Sequence, residues 1–544
     1  MHRLPRLAAA TALLLVVALP LVATTALALA ALADAAGWQA LVQDPRVPRA
    51  LGLSLWTGLA STVLAWWGTA ALLAQVSVRG SLQRMARSLP VLLATPHAAF
   101  AIGLAFLLAP GGWVLRSLSP WLTGLDTPPH WPTTQDPWGL GLIATLVAKE
   151  IPFLLWAAAT QWQREDLRAR WRAEQALATT LGYGPRRAWW RVVWPQLAPR
   201  LHWPLLAVLA YGLTVVDLAL VIGPASPPTL AVLAWQGLQD ADPVANAQGA
   251  AAGGVLALAV GLAALASHRL IGGPRAGRLD GERAARQTPR TGWPPGLLLL
   301  AGLYALVLLA LAAGSVAGQW TFPAFWPQTL SLNAWRSVAG SSGSLWTTLA
   351  LGIGSTTLAL AWSVAWLELA PRRWDRAVRP LLYLPLALPA VLWVVGLYGL
   401  VLPLRIEGHW SGLLLAHTLM VLPYVLLSLS PAYQGFDPRC AALAASLGRA
   451  GWPFLLQVKW PLLRQSLAAS AAVGLAVSVA QYLPTLYVGA GRFATVTTEA
   501  VTLASGAQRA LTSAYAGLQF LLPVLGFALA ARIGRPRRFT VAQP

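Results

Sequence analysis

Ala176-Leu177-Ala178-Thr179-Thr180-Leu181-Gly182, running on to Trp194-Pro195, has a second copy in the same chain. The copy reads Ala442-Leu443-Ala444-Ala445-Ser446-Leu447-Gly448 and runs on to Trp460-Pro461. The Gly and Pro landmarks are both displaced by 266 residues, so the spacing inside the stretch is kept. Self-similarity at so long a period marks a duplicated structural unit. Three further pairs follow in the same order. Pro96, Gly103 and Pro110 answer Pro389, Gly396 and Pro403; Ser54-Leu55-Trp56-Thr57 answers Ser344-Leu345-Trp346-Thr347; Pro152-Phe153 answers Pro423-Tyr424. The displacement shrinks along the chain, so the second half has lost residues mainly between Pro110 and Pro152.

Of the 544 residues, 57% are hydrophobic and only 10% charged, too little charge to cover a soluble protein of this size. Apolar runs near the bilayer-crossing length of about 20 residues recur along the chain. They predict an all-α polytopic membrane protein with twelve transmembrane helices. The spans fall at 6–33, 51–74, 88–109, 138–160, 201–222 and 249–271, then 296–317, 345–369, 380–404, 410–433, 466–489 and 512–532. The first run follows Arg3 and Arg6 like a signal peptide, but eleven more spans favour an uncleaved helix. Six spans per half is an even number, which makes the halves parallel repeats. They divide as 1–271 and 294–544, joined by an Arg-rich linker at 272–293.

Placing both termini and every second loop in the cytoplasm puts 31 of the 39 Lys and Arg on that side and 7 on the other, with Lys149 inside a span. That is the positive-inside asymmetry. The net charge of +21 therefore reports topology and contact with anionic lipids, not nucleic-acid binding. Two Lys against 37 Arg point to a GC-rich bacterial genome, and so to a bacterial inner membrane. The lone Cys440 permits no internal disulfide.

Both copies of the repeated stretch fall in the loop after the fourth span of their half. Small residues there suit a helix that a partner protein approaches closely. Gly182 and Gly448 permit the turn that follows. Trp194-Pro195 and Trp460-Pro461 mark re-entry to the membrane.

This signature resembles the cytoplasmic loop of the binding-protein-dependent ABC importer permeases, Glu-Ala-Ala, three residues, Gly, then Pro about thirteen later. The fused twelve-span layout is similar to the ferric-iron and thiamine permeases and their relatives. The resemblance covers essentially the whole chain. It implies that Ala176, Leu177, Ala178 and Gly182, with Ala442, Leu443, Ala444 and Gly448, dock ATP-hydrolysing subunits, in loops closed by Pro195 and Pro461. The leading Glu is replaced by Ala176 and Ala442, and Glu174 is the carboxylate nearest that position in the first copy. It further implies two copies of an ABC ATPase subunit carrying ATP and Mg, and a periplasmic or lipid-anchored solute-binding protein. No cofactor is expected on this chain.

Lys149 and Glu150 lie inside the fourth span and Asp217 inside the fifth. Charges at such depth pair or line a pathway. Neighbours on a helix point about 100° apart, so Lys149 and Glu150 do not satisfy each other. Two readings stand: an ion pair of Lys149 with Asp217, or a solute pathway. The counterparts in the second half are Met420, Val421 and, approximately, Gln481, so the polar interior is asymmetric.

The chain has no phosphate-binding Gly-x-x-x-x-Gly-Lys-Ser/Thr, so ATP hydrolysis is expected on a separate subunit and this chain is not expected to be an enzyme. Its seven His are scattered, and His97, His202 and His417 read as interfacial or packed. An ion-gradient-driven secondary transporter with two six-span halves is the alternative. Against it, residues 75–88 hold three Arg and no acid, and nothing in such a transporter calls for a duplicated long loop.

Overall fold

The computed structural model describes residues 3–271, 292–506 and 508–535. Among them regular structure is helical, apart from an isolated β-bridge between Ala317 and Leu330. The expected linker at 272–293 lies almost wholly outside the described residues. Ten principal helices come first: α1 (Arg3–Ala30), α2 (Val47–Val78), α3 (Leu82–Ala94), α4 (His97–Leu108), α5 (Leu140–Trp162), α6 (Glu165–Thr180), α7 (His202–Thr214), α8 (Asp217–Ile222), α9 (Leu230–Leu238) and α10 (Pro243–Ile271). Ten more repeat the order: α11 (Pro295–Ser315), α12 (Gly343–Leu369), α13 (Arg372–Leu382), α14 (Ala390–Val401), α15 (Trp410–Gln434), α16 (Pro438–Ser446), α17 (Trp460–Val479), α18 (Leu483–Val488), α19 (Val496–Ala504) and α20 (Arg509–Ile533). Ten helices are long and apolar enough to cross a membrane, or eleven if Arg372–Ala387 and Ala390–Val401, bent by 105°, form one span.

Four of the twelve expected spans are interrupted within the apolar run. The span expected at 88–109 is interrupted at Thr95, whose ψ of 117° is extended. The one at 380–404 is interrupted at Leu388, with ψ 145°. Each precedes a proline, Pro96 or Pro389, whose ring pushes the preceding residue out of the helical region. The fifth span stops at Thr214, passes through an extended Val215 (ψ 134°) and restarts at Asp217. The eleventh stops at Val479 and restarts at Leu483, with Pro484 in the new first turn. Pro484 has no N–H to give the carbonyl four residues back, which favours an interruption there. Hydropathy is continuous across all four breaks and does not register them.

The first helix of each set packs on the other set. α1 lies against α14, and its Val17 and Leu21 join the core that holds Trp366, Trp393 and Leu397. Reciprocally α11 lies against α4, and Tyr304, Val307 and Leu311 join the core around Phe100 and Leu104. Gly396 and Gly103 sit at these two crossings. A Cβ at Gly396 would overlap the backbone oxygen of Thr24 in α1, and one at Gly103 would meet Val307 Cγ1 at 2.7 Å and its carbonyl oxygen at 2.9 Å. Small residues at such points let membrane helices approach backbone to backbone. Gly396→Ala forces α1 outward and lowers stability by about 1–3 kcal/mol, the usual range for overpacking. Gly103→Ala costs less, because a side-chain methyl is met first. Thermal unfolding of the two purified variants checks the order; an unchanged midpoint for Gly396→Ala would contradict the crossing.

The outward face of α10 exposes Leu258, Leu262 and Leu265, spaced to form one stripe, as a lipid-facing helix requires.

Candidate functional site

The two copies of the repeated loop fold alike. α6 and α16 each end in a turn whose glycine takes a left-handed backbone, φ +89° at Gly182 and +73° at Gly448. A short helix follows in each, Pro185–Ala188 and Trp452–Phe454, then one π-helical turn, Trp189–Val193 and Leu455–Lys459. The π turns have a shared cause. Pro195 and Pro461 cannot donate to the carbonyl four residues back, and the preceding Trp194 and Trp460 N–H groups bond five residues back, to Trp189 and Leu455.

Exposure also matches between copies. Ala176, Leu177 and Gly182 are exposed, as are Ala442, Leu443 and Gly448. Ala178 and Ala444 are buried: Ala178 packs inward on Tyr183, Ala188 and Val192. The side chains of these two alanines are turned away from the surface, whereas Leu181 and Leu447, which sequence reasoning did not single out, are exposed. Each lies four residues after Leu177 or Leu443, and the four leucines are 47%, 69%, 60% and 65% exposed respectively. Two exposed leucines one turn apart, ahead of a tight glycine turn, form a small apolar knob in each copy. The i, i+4 leucine spacing was the available signal.

Glu174 is not free to serve as the missing carboxylate. It accepts from Arg170 Nε at 2.7 Å and Gln196 Nε2 at 2.5 Å, and Gln196 also accepts from the buried Trp171 indole at 3.3 Å. Burial would raise the Glu174 carboxyl, but the bonds from Arg170 and Gln196 outweigh it and hold it below its usual range. The network ties α6 to the re-entry segment. In the second copy Lys459 ties the π turn to the membrane helices instead, bonding Glu368 of α12 at 2.6 Å and lying over the Tyr433 ring of α15 at 4.1 Å.

Inside the bundle the structure separates Lys149 from Asp217, whose pairing was one of the two readings. Lys149 is 3% exposed, and its Nζ donates to Thr95 O at 2.6 Å and Leu92 O at 3.3 Å. It does not pair with Asp217. The reason is the unforeseen break before Pro96. Leu92 O has no N–H four residues on to accept from, because that residue is proline, and Lys149 takes the vacant place. Glu150 instead meets His97, Nε2 to Oε1 3.4 Å, and His97 stacks edge-on against Tyr211 with ring centroids 5.0 Å apart.

Asp217 opens α8 just past the break, within the electrostatic reach of His97, Tyr211 and Tyr482, while Glu150 reaches Tyr424. His97, Glu150, Tyr211 and Asp217 from the first set of helices thus converge with Tyr424 and Tyr482 from the second. His97 was missed as a member. Its position directly after Pro96, at a helix start, was the only sequence signal.

The second set is built differently. The structural counterpart of Asp217 is Leu483, since α8 and α18 begin at these residues; Gln481 lies within the break itself and is buried. There His417 spans the interruption, one ring nitrogen 2.8 Å from Ser478 Oγ and the other 2.9 Å from Thr485 Oγ1. Thr497 Oγ1 donates to the carbonyl of Val479 that the break frees. One break is closed by neutral hydroxyls and the other is lined by two carboxylates. Among the described residues no group of three or more His, Cys, Asp or Glu is placed to hold a metal ion.

No protein-family model matches the chain. It is 37% identical over 513 residues to the inner membrane ABC transporter permease protein YnjC of Escherichia coli (strain K12), covering 92% of this chain and 90% of that protein. It is 26% identical over 207 residues to the molybdenum transport system permease protein ModB of Mycobacterium tuberculosis (strain ATCC 25618 / H37Rv), covering 35% of this chain and 76% of that one. The ModB protein of Mycobacterium bovis gives the same figures. The chain belongs to the ABC transporter permeases. It is a multi-pass membrane protein of that family.

Proposed function

We propose that this chain is the complete membrane pathway of a binding-protein-dependent ABC importer, of the fused type found among the ferric-iron and thiamine permeases. Residues 1–271 and 294–544 act as its two permease repeats, with both termini in the cytoplasm. The observation that carries the reading is the matched pair of exposed Leu-x-x-x-Leu-Gly turns. Each repeat offers one knob to one ATPase subunit, and ATP with Mg is bound and hydrolysed there. A periplasmic or lipid-anchored binding protein delivers the solute to the opposite face.

The solute passes the convergence of His97, Glu150, Tyr211 and Asp217 with Tyr424 and Tyr482. Two carboxylates and several aromatic rings, with the nearby Lys149 engaged by carbonyls, favour a solute bearing a cationic or hydrogen-bond-donating group. The asymmetry of the two breaks suits a single solute held in one orientation.

The stoichiometry is directly measurable. Purified together with its ATPase at saturation, the chain should give a complex whose mass corresponds to two ATPase subunits per chain. A stable one-to-one complex would overturn the two-knob reading.

A further inference from the structure

A cavity of 490 Å³ opens at the end of the bundle away from the repeated loops, since α5 runs from the segment after Gly111 toward the first of them. Gly111 and Arg116 line it from the first set of helices, and Trp320, Gln508, Arg509 and Ser513 from the second. Among the described residues no Asp or Glu lines it.

Arg116 is 5% exposed, and carbonyl oxygens hold it: Nε donates to Gly111 at 2.7 Å, Nη1 to Thr321 at 2.8 Å and Ala324 at 2.6 Å, and Nη2 to Trp320 at 3.2 Å. Its guanidinium also lies 4.9 Å from the Trp320 ring centroid. These contacts orient the group, and no carboxylate among the described residues pairs with its charge. Arg509 has no carboxylate partner among the described residues, and each arginine lies in the field of the other. The point where a Cβ on Gly111 would stand is 3.4 Å from Arg509 Nη1 and 4.0 Å from Arg116 Nη2. Two guanidinium groups thus converge on one empty position. Ser513, fully buried on the same wall, has an Oγ with no hydrogen-bond partner.

Like charges held together without an acid are costly unless an anion completes them. An arginine fork matches the geometry of a tetrahedral oxyanion; Arg509 supplies the fork, and Arg116, four of whose five N–H groups are held by carbonyls, supplies its charge and the remaining Nη2 N–H. We infer that this cavity binds a phosphate-type oxyanion, free in solution or carried on a phospholipid headgroup, between Arg116 and Arg509. Because one arginine comes from each set of helices, the anion ties the two sets together at this end. The inference is independent of which solute the pathway carries.

Thermal unfolding of the purified full-length chain tests it, titrating sodium phosphate against sodium chloride at constant ionic strength. Wild type should show a saturable rise in midpoint of about 2–4 °C. Arg509→Gln should lose the rise; Arg116→Gln is avoided, since Arg116 also holds the Trp320–Ala324 loop. Gly111→Asp places a carboxylate at the convergence point, so its midpoint should be raised in chloride and indifferent to phosphate. Nanodiscs of phosphatidylglycerol or phosphatidylcholine separate the sources. An Arg509-dependent stabilisation in phosphatidylglycerol alone assigns a headgroup, and a phosphate response in phosphatidylcholine assigns the free anion. Equal responses of wild type and Arg509→Gln to both probes would overturn the proposal, as would a Gly111→Asp protein that responds to phosphate like wild type.

Discussion

Gly182→Glu combined with Gly448→Glu should abolish ATP-driven uptake while the chain remains inserted in the membrane. Both glycines hold a left-handed backbone at an exposed turn. An L-residue there costs roughly 1–2 kcal/mol. Around Gly448 nothing lies within 4 Å of where a Cβ would stand, so that position loses no packing. The cost falls on the turn that fixes the leucine knob, and the new carboxylate sits beside exposed Leu181 or Leu447. Insertion depends on the membrane helices, which neither substitution touches. The Asn variants provide the control, since Asn tolerates this backbone region far better than other residues. Gly182→Asn with Gly448→Asn should retain most uptake, and the Glu pair should lose at least about tenfold, the equivalent of 1.4 kcal/mol of coupling. Uptake and co-purification of the ATPase are measured on the same membranes. Normal uptake with the Glu pair would remove both turns from the coupling path.

Much of this architecture was legible because duplication leaves landmarks that physics has reason to keep. The Gly-to-Pro spacing of the loop corresponds to a left-handed turn, a short helix and a π turn, in both copies. The spacing of Pro96, Gly103 and Pro110 also recurs in Pro389, Gly396 and Pro403, and its meaning is mechanical. The first proline breaks the span, and the glycine admits the helix that crosses from the other set. Sequence alone offered the pattern without the crossing, because a helix exchanged between repeats leaves no local trace in hydropathy.

The breaks were illegible for a related reason. Thr95, Val215, Gln481 and Leu388 sit inside apolar runs, and an apolar window is silent about backbone direction. The candidate site suffered most from this. One of the two readings open from the sequence, a Lys149–Asp217 ion pair, presumed intact helices. The break at Thr95 instead gave Lys149 two carbonyls of its own and freed Glu150 to meet His97. In the loops the small-residue pattern carries no record of which side chains reach the surface: Ala178 and Ala444 are buried, while Leu181 and Leu447 are exposed.

Lys149→Met should sharply reduce folded protein, and Asp217→Leu should not rescue it. The lysine is the donor for Thr95 O and Leu92 O, at the break before a proline that can donate to neither. Each buried carbonyl left unsatisfied costs about 1–3 kcal/mol, so the loss is on the order of 2–6 kcal/mol, enough to unfold a chain of ordinary stability. Asp217 makes no contact with Lys149 that its removal could relieve. The double variant should therefore be as poorly folded as Lys149→Met alone, which is the additivity of uncoupled sites. Asp217→Asn keeps the shape and one acceptor but removes the charge; it should insert normally and lower uptake about tenfold or more if the carboxylate meets the passing solute. Quantifying folded protein and uptake for all four variants separates the roles. Recovery of folding in the double variant would mean that the two residues pair in the membrane after all. Full uptake by Asp217→Asn would take the carboxylate out of the pathway while leaving the structural role of Lys149 intact.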